Sequence, residues 1–164
     1  MTAVVNVVLA GLGGQGVIKA SDILADAALR AGLDVKKAEI HGMSQRGGSV
    51  TSDVRFGTKV LSPMVPWGEA DFLVVLAPSE VEVARAMLRP GGILLTSDLI
   101  PEGQLPNKRS LNVALLGALS QYLDLPIEAM LEAVKAAFPE KLHAVNGAAF
   151  QLGRNVAAEQ GTIR

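Results

Sequence analysis

The chain has no cysteine. That excludes a disulfide, a thiolate nucleophile and the usual ligands of an iron–sulfur cluster. Histidine is nearly as scarce: His41 and His143 stand about 100 residues apart, and nothing around them has metal-ligand spacing. Long apolar runs are missing too. Stretches such as Phe72 to Ala77 fall far short of the ~20 residues a membrane span needs. No surplus of basic charge exists, because the net charge is −1. A nucleic acid or an anionic membrane surface therefore finds no basic face here. Arg46-Gly47-Gly48 is a single triplet and makes no RNA-binding tract. The opening residues carry no basic leader, and the first apolar stretch flows directly into a Gly-rich turn. This reads as a first strand and not as a signal peptide, so a cytoplasmic protein is expected.

What is present is a globular composition. Hydrophobic residues make up 49% and charged residues 19% of 164 positions. That length suits one domain spanning 1–164, with room for a proper core. Val4 to Ala10 reads as a strand. Gly11-Leu12-Gly13-Gly14-Gln15-Gly16 follows, then a stretch to Ala31 with apolar residues at helical spacing, closed by Gly32. Asp34 to Ile40 reads as a second strand. Ser49 to Phe56 alternates, and with Lys59 to Leu61 it is expected to form a hairpin. Phe72 to Ala77 and Ile93 to Ser97 read as buried strands. Between them a helix is expected from Ser79, with Glu82 completing a capping box, to about Arg89. Helices are expected near 112–122, 127–138 and 148–159. Alternating strands and helices predict an α/β fold: three-layer and Rossmann-like, a mainly parallel sheet with helices on both faces and a β-hairpin excursion.

Two loops carry the functional signal. Gly11, Gly13 and Gly16 match G-x-G-x-x-G between a predicted strand and a predicted helix. Such a turn lets a ligand approach the backbone, and free N–H groups at the helix start favour an anion. Val17-Ile18 stands where a P-loop requires lysine and a hydroxyl, which argues against a triphosphate site. Glu39 follows Gly16 by 23 residues, close to where a ribose-binding acid would sit. On residues alone, a nucleotide-type site competes with a turn that merely lets helix pack on sheet. The second loop, Gly42 to Gly48, follows the second strand. In a doubly wound sheet both loops lie at the carboxyl ends of strands, where ligands bind. Arg46 brings a cation, and Gly47 and Gly48 permit close approach. A phosphorylated or carboxylated ligand suits the pair. The competing reading is a solvated loop.

Gly11 to Val17, Gly42 to Gly48 and Ser52-Asp53-Val54-Arg55-Phe56-Gly57 together resemble the gamma domain of 2-oxoacid:ferredoxin oxidoreductases. That family includes the pyruvate, ketoisovalerate and indolepyruvate enzymes. The likeness continues through Asn112 to Gly117 and Asn146 to Gly153, so it covers nearly the whole chain. The resemblance implies a subunit of an enzyme that oxidatively decarboxylates a 2-oxoacid, usually forms an acyl-CoA and passes electrons to ferredoxin. It implies thiamine diphosphate on partner alpha and beta subunits, and iron–sulfur clusters on a ferredoxin-like subunit or domain. It implies CoA at this chain, facing Gly13, Gly14, Gln15 and Gly16 and then Arg46, Gly47 and Gly48. The sequence agrees with that division: it has no cysteine for clusters, no Gly-Asp-Gly segment opening a thiamine diphosphate motif, and no nucleophile–base pair. Two other readings remain open, a free-standing NAD(P)- or flavin-binding reductase and a non-catalytic ligand-binding module. Trp67 and Met64, in a proline-rich segment, suit either a subunit contact or a locally packed loop.

Overall fold

A computed structural model describes residues 4–41, 48–101 and 103–161. Five strands form one sheet: β1 (Val5–Leu12), β2 (Asp34–His41), β3 (Ser49–Gly57), β4 (Ala70–Val75) and β5 (Leu88–Thr96). Their spatial order is β2-β3-β1-β4-β5. β4 runs parallel to β1, and β5 parallel to β4. β3 runs antiparallel to both β1 and β2. Four strands therefore share one direction and β3 alone opposes them.

The helices are α1 (Val17–Arg30), α2 (Val81–Ala84), α3 (Leu111–Ser120), α4 (Ile127–Ala137) and α5 (His143–Gly161). One face of the sheet is buried beneath α1, α3, α4 and α5. Val7 and Leu9 of β1 project into that core, against Ile23, Leu24, Leu116 and Phe150. Among the described residues, the other face carries only short α2, with its flanking 3-10 turns, and the 58–69 segment. Val8, Ala10, Leu73 and Val75 meet Val65 and Ala84 there. Strand alternation sends neighbours to opposite faces, which is why β1 feeds both cores. Gly32 ends α1 as expected: at φ 85° its N–H bonds the Leu29 carbonyl and the Leu33 N–H bonds that of Ala28.

Two local expectations differ from the structure. Lys59 to Leu61 forms no strand, and β3 pairs with β2 and β1 instead. The hairpin is thus β2–β3, joined across residues 42–47, which lie outside the described residues. The segment from 58 onward is held by side chains in place of a ladder: Val60 N–H donates to Asp34 at 2.8 Å, and Arg55 donates to the Ser62 carbonyl at 2.8 Å. The helix expected from Ser79 is shorter than its pattern. Ser79 lies within a 3-10 turn and caps nothing, and α2 stops at Ala84. β5 then begins at Leu88 and runs through Pro90-Gly91-Gly92. An edge strand tolerates such residues, since its outer N–H groups bond no neighbouring strand.

Candidate functional site

The carboxyl ends of β1, β2, β4 and β5 lie along one edge of the sheet. The chain leaves β1 towards β2 on one side and pairs β4 on the other, so β1 and β4 flank a switch point. The Gly-rich turn sits there. Gly14 and Gly16 have φ of 90° and 82°, conformations that side chains with a Cβ resist. Gly11 leaves room for Gln15: a Cβ there would stand 2.8 Å from the Gln15 Oε1. That oxygen accepts the Leu12 N–H at 2.7 Å, and the Gln15 amide donates to the Leu76 carbonyl at 3.5 Å. Gln15 therefore braces the turn from inside and ties it to the end of β4. The backbone of Gly14 to Gly16, not the glutamine head, is what this leaves to a ligand.

The two loops singled out in the sequence meet. Gly13 N–H donates to the Gly48 carbonyl at 2.8 Å. Arg46 and Gly47 lie outside the described residues, so Gly48 is the member of that triplet placed beside the turn. At the helix start, Ala20 N–H bonds the Gly16 carbonyl at 2.9 Å. Ahead of it, the N–H groups of Gly14, Gly16, Val17, Ile18 and Lys19 meet no acceptor among the described residues. They form the electropositive end of α1.

A second helix start converges on the same place. Asn107 accepts the Arg109 N–H at 2.9 Å, opening a 3-10 turn that leads into α3. Asn112, buried, donates to the Gly16 carbonyl at 3.2 Å. The cleft of about 450 Å³ between the two starts is lined by Gly14, Gln15, Gly16, Lys108, Arg109, Leu111 and Asn112. Lys108 and Arg109 are exposed and join no ion pair among the described residues. Two cations and two helix starts give an anion-attracting cleft with apolar Leu111 at one side.

Sequence reasoning missed Lys108 and Arg109. They stand more than ninety residues from the Gly-rich turn, in a proline-rich connection, and only the tertiary fold brings them over. The one available signal was a pair of cations directly before the Asn112 helix. The ribose-acid reading of Glu39 loses its geometry. β3 separates β2 from β1, so Glu39 stands two strand spacings, roughly 10 Å, from β1. Its carboxylate pairs with Lys37 at 2.9 Å. His143 is structural: its Nε2 lies 2.9 Å from the Lys135 carbonyl and 3.0 Å from that of Phe138, at the end of α4.

Fold and cleft together define a Rossmann-like α/β protein with a positively charged cleft at the carboxyl edge of its sheet. Residues 6–106 and 98–156 match the model of the pyruvate ferredoxin/flavodoxin oxidoreductase family. A subunit of indolepyruvate oxidoreductase, IorB of Thermococcus kodakarensis, is 35% identical over 94% of this chain and 96% of its own. The chain belongs to the pyruvate ferredoxin/flavodoxin oxidoreductase family, and the likeness read from the loops is borne out. Among solved structures, the gamma subunit of a keto/oxoacid ferredoxin oxidoreductase from Geobacter sulfurreducens superposes with a TM-score of 0.80 at 25% identity. That match covers 96% of this chain and 98% of that one. The 2-oxoglutarate:ferredoxin oxidoreductase of Magnetococcus marinus, solved with 2-oxoglutarate, coenzyme A and succinyl-CoA bound, matches with a TM-score of 0.82 and 25% identity. It covers 95% of this chain but 31% of the longer one.

Proposed function

We propose that this chain, taken as one gamma-type domain over 1–164, is the gamma subunit of a 2-oxoacid:ferredoxin oxidoreductase and binds CoA. The observation that carries the reading is the cleft in which the unpartnered N–H groups of the Gly-rich turn face Lys108 and Arg109. CoA presents several phosphate charges and a long neutral arm. The backbone of Gly13 to Gly16 would take one phosphate, with Lys108 and Arg109 beside it. Arg46, Gly47 and Gly48 would close the same ligand from the loop that Gly13 binds. Bound CoA supplies the thiol that receives the acyl group. Thiamine diphosphate belongs to alpha and beta partners and the clusters to a ferredoxin-like partner, in keeping with a chain without cysteine. A cytoplasmic place for the complex is part of the proposal. No helix among the described residues is long and apolar enough to cross a membrane. The reductase alternative loses support, because β3 displaces Glu39 from the position that a dinucleotide ribose needs.

Calorimetric titration of CoA and NADH into the assembled complex tests the reading. CoA should bind and NADH should not. Lys108→Ala with Arg109→Ala should weaken CoA roughly ten- to hundredfold, as expected for losing a charge-assisted hydrogen bond of ~1.5–3 kcal/mol. The 2-oxoacid dependence should stay unchanged. The chain alone should not reduce viologen with a 2-oxoacid. Tight NADH binding without CoA binding would favour the reductase.

A further inference from the structure

Two strands flank β1 in the sheet, β3 on one side and β4 on the other. The start of β3 and the end of β4 both meet the Gly-rich turn at the carboxyl end of β1. From the β3 side, the Gly48 carbonyl takes the Gly13 N–H at 2.8 Å. From the β4 side, the Leu76 carbonyl takes the Gln15 amide at 3.5 Å. A third bond joins the two flanks to each other: the Ser49 hydroxyl donates to Oε1 of Glu80. Neither Ser49 nor Glu80 lines the cleft between the helix starts, so this bond touches no ligand held there.

The two ends of that bond are held unequally. Glu80 stands on a rigid base. Leu76 N–H bonds the Ala10 carbonyl at 2.8 Å, which carries the pairing of β4 with β1 past Val75. Pro78, with its fixed φ, opens the 3-10 turn that follows. The Glu80 N–H closes that turn on the carbonyl of buried Ala77 at 2.9 Å. Ser49, by contrast, is exposed and is the first residue of β3, where the ladder with β1 runs out at Leu12. Ladder ends open most readily. Displacement of Ser49 carries Gly48 with it, and Gly13 then loses its acceptor.

We propose that Glu80 is a positioning residue for the anion-binding turn. By holding Ser49 it keeps Gly48 against Gly13, and so presents the N–H groups of Gly14, Gly16 and Val17 in the arrangement a phosphate needs. The proposal rests on the CoA reading above and adds a residue outside the cleft to it. Charge separates this role from its rival. A carboxylate whose partner adjoins the Gly13–Gly48 bond repels an anion at the turn. Acting through space, Glu80 weakens the site. Acting through Ser49, it strengthens the site, because a turn ordered in advance leaves a ligand less entropy to lose. The two roles give opposite signs when the carboxylate is removed.

CoA would be titrated calorimetrically into the assembled complex carrying wild-type or substituted chains. Glu80→Ala and Ser49→Ala should each raise the dissociation constant roughly five- to tenfold. The double variant should be no worse than either single one, since all three lose the same bond. Ser49→Thr keeps a hydroxyl and should bind like wild type. Glu82→Ala removes a carboxylate two residues away, paired with Arg85 and not with Ser49, and should also bind like wild type. In steady-state assays the KM for CoA should rise while kcat and the KM for the 2-oxoacid stay unchanged. Melting midpoints should hardly move, because an exposed bond contributes little to folding. Tighter CoA binding by Glu80→Ala would mean that the charge acts through space, and would overturn the proposal. Wild-type affinity in both single variants, or losses that add in the double one, would overturn it too. In each of these cases the CoA reading survives. A wild-type complex that takes up no CoA sinks that reading and the proposal together.

Discussion

Asn112 donates its side-chain amide to the main-chain carbonyl of Gly16 at 3.2 Å, across 96 residues of chain. That single bond joins the start of α3 to the start of α1, and so sets the width of the cleft between them. It also explains why Gly16 and Gly14, which share a left-handed backbone, should not respond alike to substitution.

Gly14→Ala should cost only the backbone strain, about 1–2 kcal/mol, since no atom lies within 4 Å of the added Cβ. Gly16→Ala adds a clash: its Cβ would stand 2.5 Å from the Asn112 amide nitrogen. Asn112 must then turn away and lose its bond, so the total should reach roughly 3 kcal/mol. Thermal unfolding would show the difference, at about 2–4 °C per kcal/mol for a domain of this size. Equal midpoints for the two variants would mean that Asn112 does not hold the cleft.

Asp53 lies buried on β3, and burial raises its carboxyl above the usual value of 3.8 despite the Val65 N–H bond and nearby Arg55. A raised folded-state pKa means that the native state holds its proton longer than the unfolded chain. Stability should therefore fall as pH rises from 3.8 through the raised value, then level off. Asp34 runs the other way: the Val60 N–H lowers its pKa, so its contribution is present above 3.8 and lost on acidification. Asp53→Asn should keep the Val65 bond and remove the charge. It should stabilise the protein at pH 7 and be neutral near pH 3. Denaturant unfolding at both pH values measures this, and a stabilisation independent of pH would refute the assignment.

Gly153→Ala should be among the most damaging single substitutions. A Cβ there would lie 1.7 Å from the Ala114 carbonyl oxygen, and at Gly117 one would lie 2.0 Å from that of Phe150. These glycines let α3 and α5 touch backbone to backbone. Neither partner atom belongs to a flexible side chain, so the helices must separate. Overpacking of this kind costs about 1–3 kcal/mol or more, beyond the ~1 kcal/mol of helix propensity that alanine returns. Circular dichroism should show a lowered melting midpoint with helix content retained at low temperature.

Local chemistry was legible in the sequence wherever it was decided locally. The strand–turn–helix at Gly11 to Gly16 and the Gly32 cap follow from glycine backbone freedom and apolar spacing. The facing of Gly13 and Gly48 followed from placing both loops at strand ends. The order of strands did not, because β3 could pair with the residues after it or with those before. Its period-two pattern is the same in both cases. Lys108 and Arg109 escaped for a similar reason: a cation pair in a connection has no meaning until α3 is laid beside α1. The glycines at 117 and 153 carried part of the family likeness, and what they serve is a helix crossing, not a ligand.

β3 makes all the hydrogen bonds that hold β2 to the sheet. The β1–α1–β2 unit therefore has no ladder of its own, and it cannot close as an autonomous folding unit before residues 49–57 arrive between its strands. Native-state hydrogen exchange should accordingly rank the pair: β2 amides released through opening of the sheet margin, β3 amides only with global unfolding. The one strand that runs against the rest is thus the piece that completes the β1–α1–β2 unit, and its release should come with the loss of the whole sheet.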